Sequence, residues 1–295
     1  MAEPGGCRIH ALPRSGSLRT MNAEPATSHQ MPVSAAAQLF DSRARFPNAW
    51  FPGRVIAGIA LILGPILWFV GLTLRYAGLE AAGLTANERT WLAEQPFAAP
   101  GQLLAYARNP NLVIAGYATF AAACVVLVFG MIGFARVVAE RSKLLAQLGG
   151  VAVVASLAGR LYFSGVELTS FRLVDVIGLA AATEFVMDSY VELSYGLAYV
   201  PVVASAGALV GGVLLSVAAL RTGTLGILRC VLLLAWAWTF LGVLKESDVG
   251  SIQGGIALCV VMVPVGIELL RRRLTGLEEP SVPDDRRREL TEWLW

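Results

Sequence analysis

Four carboxylates, Glu167, Asp175, Asp188 and Glu246, stand at or just beyond the ends of long apolar runs, in company with Arg160, Tyr162, Arg172, Tyr195, Tyr199 and Trp236. A carboxyl group at such an edge loses hydration, its pKa rises, and it can hold its proton near neutral pH and serve as a general acid. Tyr and Trp rings would wall a pocket for an apolar or cationic ligand. Each of these features also has a plainer reading. Arg160, about 9 Å inside its run at 1.5 Å per residue, either faces a wet charged site or pairs with a loop carboxylate for architecture. Glu167 and Asp175 are the expected partners, with Glu246 the longer-range one. Trp68, Phe69, Trp236, Trp238 and Phe240 fit an interfacial aromatic belt as well as a pocket. Glu184, Asp188 and Glu192, spaced by four, are either a like-charged helix stripe or a solvated loop in which Ser189 and Glu192 form a capping box.

Other chemistries lack their parts. The two His, His10 and His29, lie in the N-terminal tail, and the four Cys show no CxxC or Cys/His spacing. No metal and no cofactor is expected, therefore, and no P-loop, zincin, nucleophile-elbow or dinucleotide motif is present. A net charge of +2 is too small to imply a nucleic acid as partner.

These residues must be positioned by membrane helices. Of 295 residues, 56% are apolar and only 15% charged, against about 25% charged in a soluble domain, and the mean hydropathy is +0.64. Six apolar runs, 55–74, 112–135, 144–166, 193–220, 224–244 and 252–270, approach or exceed the ~20 residues that cross a bilayer. They are continuous rather than alternating, so the expected fold is all-α, a polytopic six-helix membrane bundle. Placing both termini inside puts 17 of the 23 basic residues on the inner side, as the positive-inside rule requires. The expected organisation is a disordered tail over 1–52, a transmembrane domain over 53–275, and a basic, aromatic tail over 276–295.

Local signals refine this plan. Thr85-x-x-Glu88 is a second capping box and starts a short surface helix in the outer connection 75–111, followed by an irregular return. The other outer connection, 167–192, is read as a loop. Pro65, Pro201 and Pro264 are expected to bend their helices, and Gly223 to end the fourth. That fourth helix carries Gly207-x-x-x-Gly211 and is expected to be central, by close helix contact. Long connections on one side only place any elaborated function on the outer face.

The stretches Leu161–Leu179 (LYFSGVELTSFRLVDVIGL) and Val243–Ser247 (VLKES), in this loop layout, resemble a group of actinobacterial integral membrane proteins without an assigned activity. The resemblance spans about residues 53–275, and the prevalence of Arg over Lys agrees with a GC-rich genome. It implies a plasma-membrane bundle and carries over no residue's role. Three functions remain open: a membrane protein whose acidic, aromatic outer face meets a partner protein or a lipid-soluble molecule, an acid-catalysed enzyme acting on an isoprenoid-like substrate, and a small-solute transporter.

Overall fold

A computed structural model describes residues 51–139, 142–195, 199–241 and 249–274. Within them the chain forms nine α-helices and no strand. They are α1 (Arg54–Ala81), α2 (Ala86–Glu94), α3 (Ala99–Arg108), α4 (Pro110–Val138), α5 (Lys143–Ile177), α6 (Leu179–Tyr195), α7 (Val200–Thr222), α8 (Ile227–Trp238) and α9 (Val249–Leu274). The expected tails, apart from Phe51 and Pro52, lie outside the described residues, as does Glu246.

Five helices, α1, α4, α5, α7 and α9, are long and apolar enough to cross a membrane. The apolar stretch Ile227–Leu241 formed by α8 and its following turn has 15 residues, about 22 Å at 1.5 Å each, short of the ~30 Å hydrocarbon core.

The helices pack as antiparallel neighbours. The most extensive interface joins α1 to α4, followed by α5 with α7 and α9 with α1. Small residues let these axes approach. A methyl group at Gly71 would lie 2.7 Å from the Phe120 backbone nitrogen, and one at Gly207 would lie 2.6 Å from the Ala152 carbonyl oxygen. The Gly207/Gly211 face therefore does meet another helix, α5. The expected primacy of that helix is corrected, however, because α1 lies between α4 and α9 with equally close glycine contacts. Two buried hydroxyls add cross-helix bonds: Ser156 donates to the Ala204 carbonyl at 2.6 Å, and Ser205 to the Phe240 carbonyl at 2.7 Å.

This packing gathers Arg54, Arg136, Lys143, Arg221, Arg229 and Arg271 at one end of the bundle. The other end carries a cap made of α2, α3, α6 and the last turns of α5. At 35 residues, α5 is about 52 Å long and must project well beyond a bilayer core.

Several local expectations are corrected. The connection 167–192 is helical: α5 runs on to Ile177, turns at Gly178 (φ 84, ψ 161), and α6 begins at once. Ser189 lies inside α6 and caps nothing; a Ser-x-x-Glu spacing starts a helix only where the preceding chain is not already helical. The return after α2 is the regular helix α3. Pro201 sits in the first turn of α7, where its missing N–H costs no bond; Pro65 and Pro264 do lie inside α1 and α9. The capping box at Thr85 and the left-handed stop at Gly223 (φ 68) form as read.

Candidate functional site

The capped end holds a buried chain of polar and aromatic groups that begins at Arg75. The side chain of Arg75 is buried in α1, and its guanidinium carbon lies 4.1 Å from the ring centre of Tyr117 and 5.1 Å from that of Phe120, both on α4. Gly116 makes the approach possible, since a methyl group there would lie 2.8 Å from the Arg75 backbone nitrogen. Nη2 of Arg75 donates to the Tyr117 hydroxyl at 3.2 Å and to Glu167 Oε1 on α5 at 3.4 Å. A guanidinium so placed is held by ring faces on one side and a carboxylate on the other.

Phe171, one turn beyond Glu167 on α5, continues the chain. It meets Tyr117 edge-on at 4.9 Å and stacks on Tyr106 of α3 at 5.0 Å, with only 11° between the rings. The Tyr106 hydroxyl donates to Asp175 Oδ2 at 2.8 Å, and Arg172 donates to the same oxygen at 3.1 Å. Burial, and then this bond to a carboxylate, raise the Tyr106 pKa above its ordinary value.

The cap is tied to the bundle at its edge. Arg108, at the end of α3, donates to the Ala82 carbonyl at 2.8 Å and to Glu88 Oε1 at 2.6 Å. Asn109 donates its side-chain amide to the Ala81 carbonyl at 2.9 Å. The last carbonyls of α1 thus find partners without solvent. Glu88 accepts from the Thr85 backbone N–H at 2.8 Å; that bond first, and Arg108 second, hold its carboxyl below its ordinary pKa.

Between α1, α2, α3 and the start of α4 lies a cavity of about 350 Å³. Its walls are mainly apolar, with Leu79, Leu92, Ala105 and Val113 among the lining residues, and Arg75 and Tyr117 form its inner end. At the rim an exposed ion pair, Arg89 to Glu80 at 3.3 Å, bridges α2 and α1.

The residues singled out in the sequence fall into three places. Glu167, Arg172 and Asp175 belong to the chain just described, but Glu167 and Asp175 sit in separate pairs. Asp188, with Glu184 and Glu192, lies exposed on α6, so the acidic stripe is helical and solvated. Tyr162 is 41% exposed on α5, Tyr199 is exposed at the left-handed start of α7, and the Tyr195 side chain lies outside the described residues. Arg160 and Trp236 are buried deep in the bundle. The expected partners of Arg160 are corrected: Glu167 reaches Arg75, Asp175 reaches Tyr106 and Arg172, and the guanidinium of Arg160 lies 4.4 Å from the ring centre of Phe240. Phe240 stacks on Trp68 and meets Trp236 edge-on, so these three rings form core and not an interfacial belt; Trp238 alone of that group is largely exposed.

Sequence reasoning missed Arg75, Tyr106, Tyr117 and Phe171. One signal was available, the continued seven-residue spacing of Gly71 and Gly78, which carries the packed face of α1 past Arg75. Among the described residues no three His, Cys, Asp or Glu side chains are close enough together to hold a metal ion.

Comparison of the chain with family models, with curated proteins and with solved structures gives no match.

Proposed function

We propose that this chain is a six-span plasma-membrane protein with both termini inside, and that its capped, outer-facing end binds a small lipid-soluble molecule. The cavity of about 350 Å³ beneath α2 and α3 carries this reading. It falls within the ~300–1,000 Å³ range of ligand pockets, and it has the usual make-up of apolar walls around a few polar groups. The gathering of six basic residues at the opposite end supports the orientation. The apolar stretch 227–241 supplies the sixth crossing, with the chain beyond it completing the span.

The catalytic alternative required Glu167, Asp175, Asp188 and Glu246 around one closed apolar cavity. Glu167 and Asp175 are engaged in separate pairs and do not line this cavity, and Asp188 faces solvent. Binding, to sense or to carry, is the reading the geometry favours.

Thermal unfolding in lipid discs with a panel of small apolar compounds tests it. A ligand at a hundred times its Kd stabilises the fold by about 2.7 kcal/mol. At least one compound should produce such a shift in the native chain and none in Ala105→Phe, which fills the cavity. Absence of any shift across the panel would remove the binding reading, and a reporter fused after Leu274 that proves extracellular would remove the orientation.

A further inference from the structure

The polar groups of the cavity specify more than its size. They are donors: a guanidinium and a phenol hydroxyl stand at the inner end. A ligand seated there presents an acceptor to them and its apolar body to Leu79, Leu92 and Val113.

Charge decides which acceptor. Arg75 is already balanced by Glu167 at 3.4 Å, and Arg89 at the rim is balanced by Glu80. An anionic head would therefore bring an uncompensated negative charge into a low-dielectric site beside a carboxylate, which is costly. The surrounding field points the same way, because Glu88, Glu94, Glu184, Asp188 and Glu192 all lie on the capped end. Such a face repels approaching anions.

Volume sets the size. At about 30 Å³ per water-sized unit, a cavity of about 350 Å³ takes roughly a dozen non-hydrogen atoms.

From these three observations we propose that the cavity selects a neutral oxo compound, a ketone or ester of roughly a dozen heavy atoms, with its oxygen toward Arg75 and Tyr117. This rests on the reading of the cavity as a ligand site. Carboxylic acids and plain alkanes of the same length are the compounds it discriminates against. The carbonyl oxygen gains the donors that an alkane leaves unmet, and it escapes the charge penalty that a carboxylate meets.

Photolabelling separates the possibilities. The full chain in phosphatidylcholine discs, at a pH where the acid is ionised, is exposed to three alkyl-diazirine probes of equal length: a methyl ketone, a carboxylic acid and an alkane. Labelled peptides are mapped by mass spectrometry. The ketone should label the segment 75–117 about tenfold more than either counterpart, the value of one good hydrogen bond. Gly101→Phe should abolish that labelling. Gly101→Ala, whose added methyl meets Leu92 only at ordinary contact distance, 3.5 Å, should fold normally and reduce it. Equal labelling by all three probes would leave the cavity a ligand site and overturn the oxo selectivity. Preference for the acid would overturn it in favour of an anion. Failure of every probe to label the segment, or labelling that persists in Gly101→Phe, would overturn the ligand site itself.

Discussion

Arg75 and Glu167, 92 positions apart in the chain, meet at 3.4 Å with the arginine side chain only 1% exposed. Removing one partner of a buried pair typically costs about 3–5 kcal/mol, because the other charge is left without compensation. Arg75→Gln should lower the stability of the protein in lipid discs by about 3 kcal/mol, the lower end of that range, since Glu167 is 20% exposed. The double variant Arg75→Gln/Glu167→Gln should recover part of the loss. Additive losses in the double variant would show that the two groups do not act on each other.

Tyr106→Phe isolates the hydroxyl from the ring. The stack on Phe171 is retained while the 2.8 Å bond to Asp175 is lost. The expected cost is about 1.5 kcal/mol, the usual value for a hydrogen bond to a charged group. Tyr106→Ala, which also loses the stack, should cost more by about 1 kcal/mol or above. Equal effects of the two variants would assign all the stabilisation to the hydroxyl.

Glu88 gives the cap a pH dependence. Its folded-state pKa is lowered from 4.5 by the Thr85 N–H and then by Arg108, so the stabilisation is complete above that value. It is lost as the pH falls through the lowered one. Proteolytic cleavage or amide exchange over 82–98 should be constant from about pH 8 to 5 and rise below about pH 4. Glu88→Gln should flatten the curve. A rise that begins near neutrality would point to a different group.

Gly71 and Gly165 make a matched comparison within the membrane helices. Leucine at 71 meets the Phe120 backbone, where nothing can yield, whereas at 165 nothing lies within 4 Å. Gly71→Leu should part α1 from α4 and cost about 3 kcal/mol or more, the upper end for overpacking. Gly165→Leu should leave the folded yield unchanged. Similar yields for both would contradict the α1–α4 contact.

The membrane class was legible in the apolar runs because hydrophobic length is a local property. The cap was not. Arg75, Glu167 and Arg172 end runs of hydropathy and so read as loop, yet the helices continue through them because each finds a partner across the bundle. Those partners lie 42 positions away for Tyr117 and 92 for Glu167, beyond the reach of any spacing rule. The Thr85 box was read correctly, since both halves of its bonding sit within four residues. The Ser189 box had the same letters and no break in the helix before it. Trp68 and Trp236 were ambiguous for a further reason: belt and core draw on the same ring chemistry, and only packing separates them.

The turn at Gly178 carries a consequence in stereochemistry. Its dihedrals, φ 84 and ψ 161, belong to a region that only glycine among the coded residues occupies at ease. An added methyl there would touch nothing, so crowding is not the obstacle; handedness is. The mirror image of this conformation is ordinary extended backbone, which a D-residue reaches by reflection. Semisynthetic D-alanine at 178 should preserve the angle between α5 and α6, while L-alanine, with the same atoms, should disturb it.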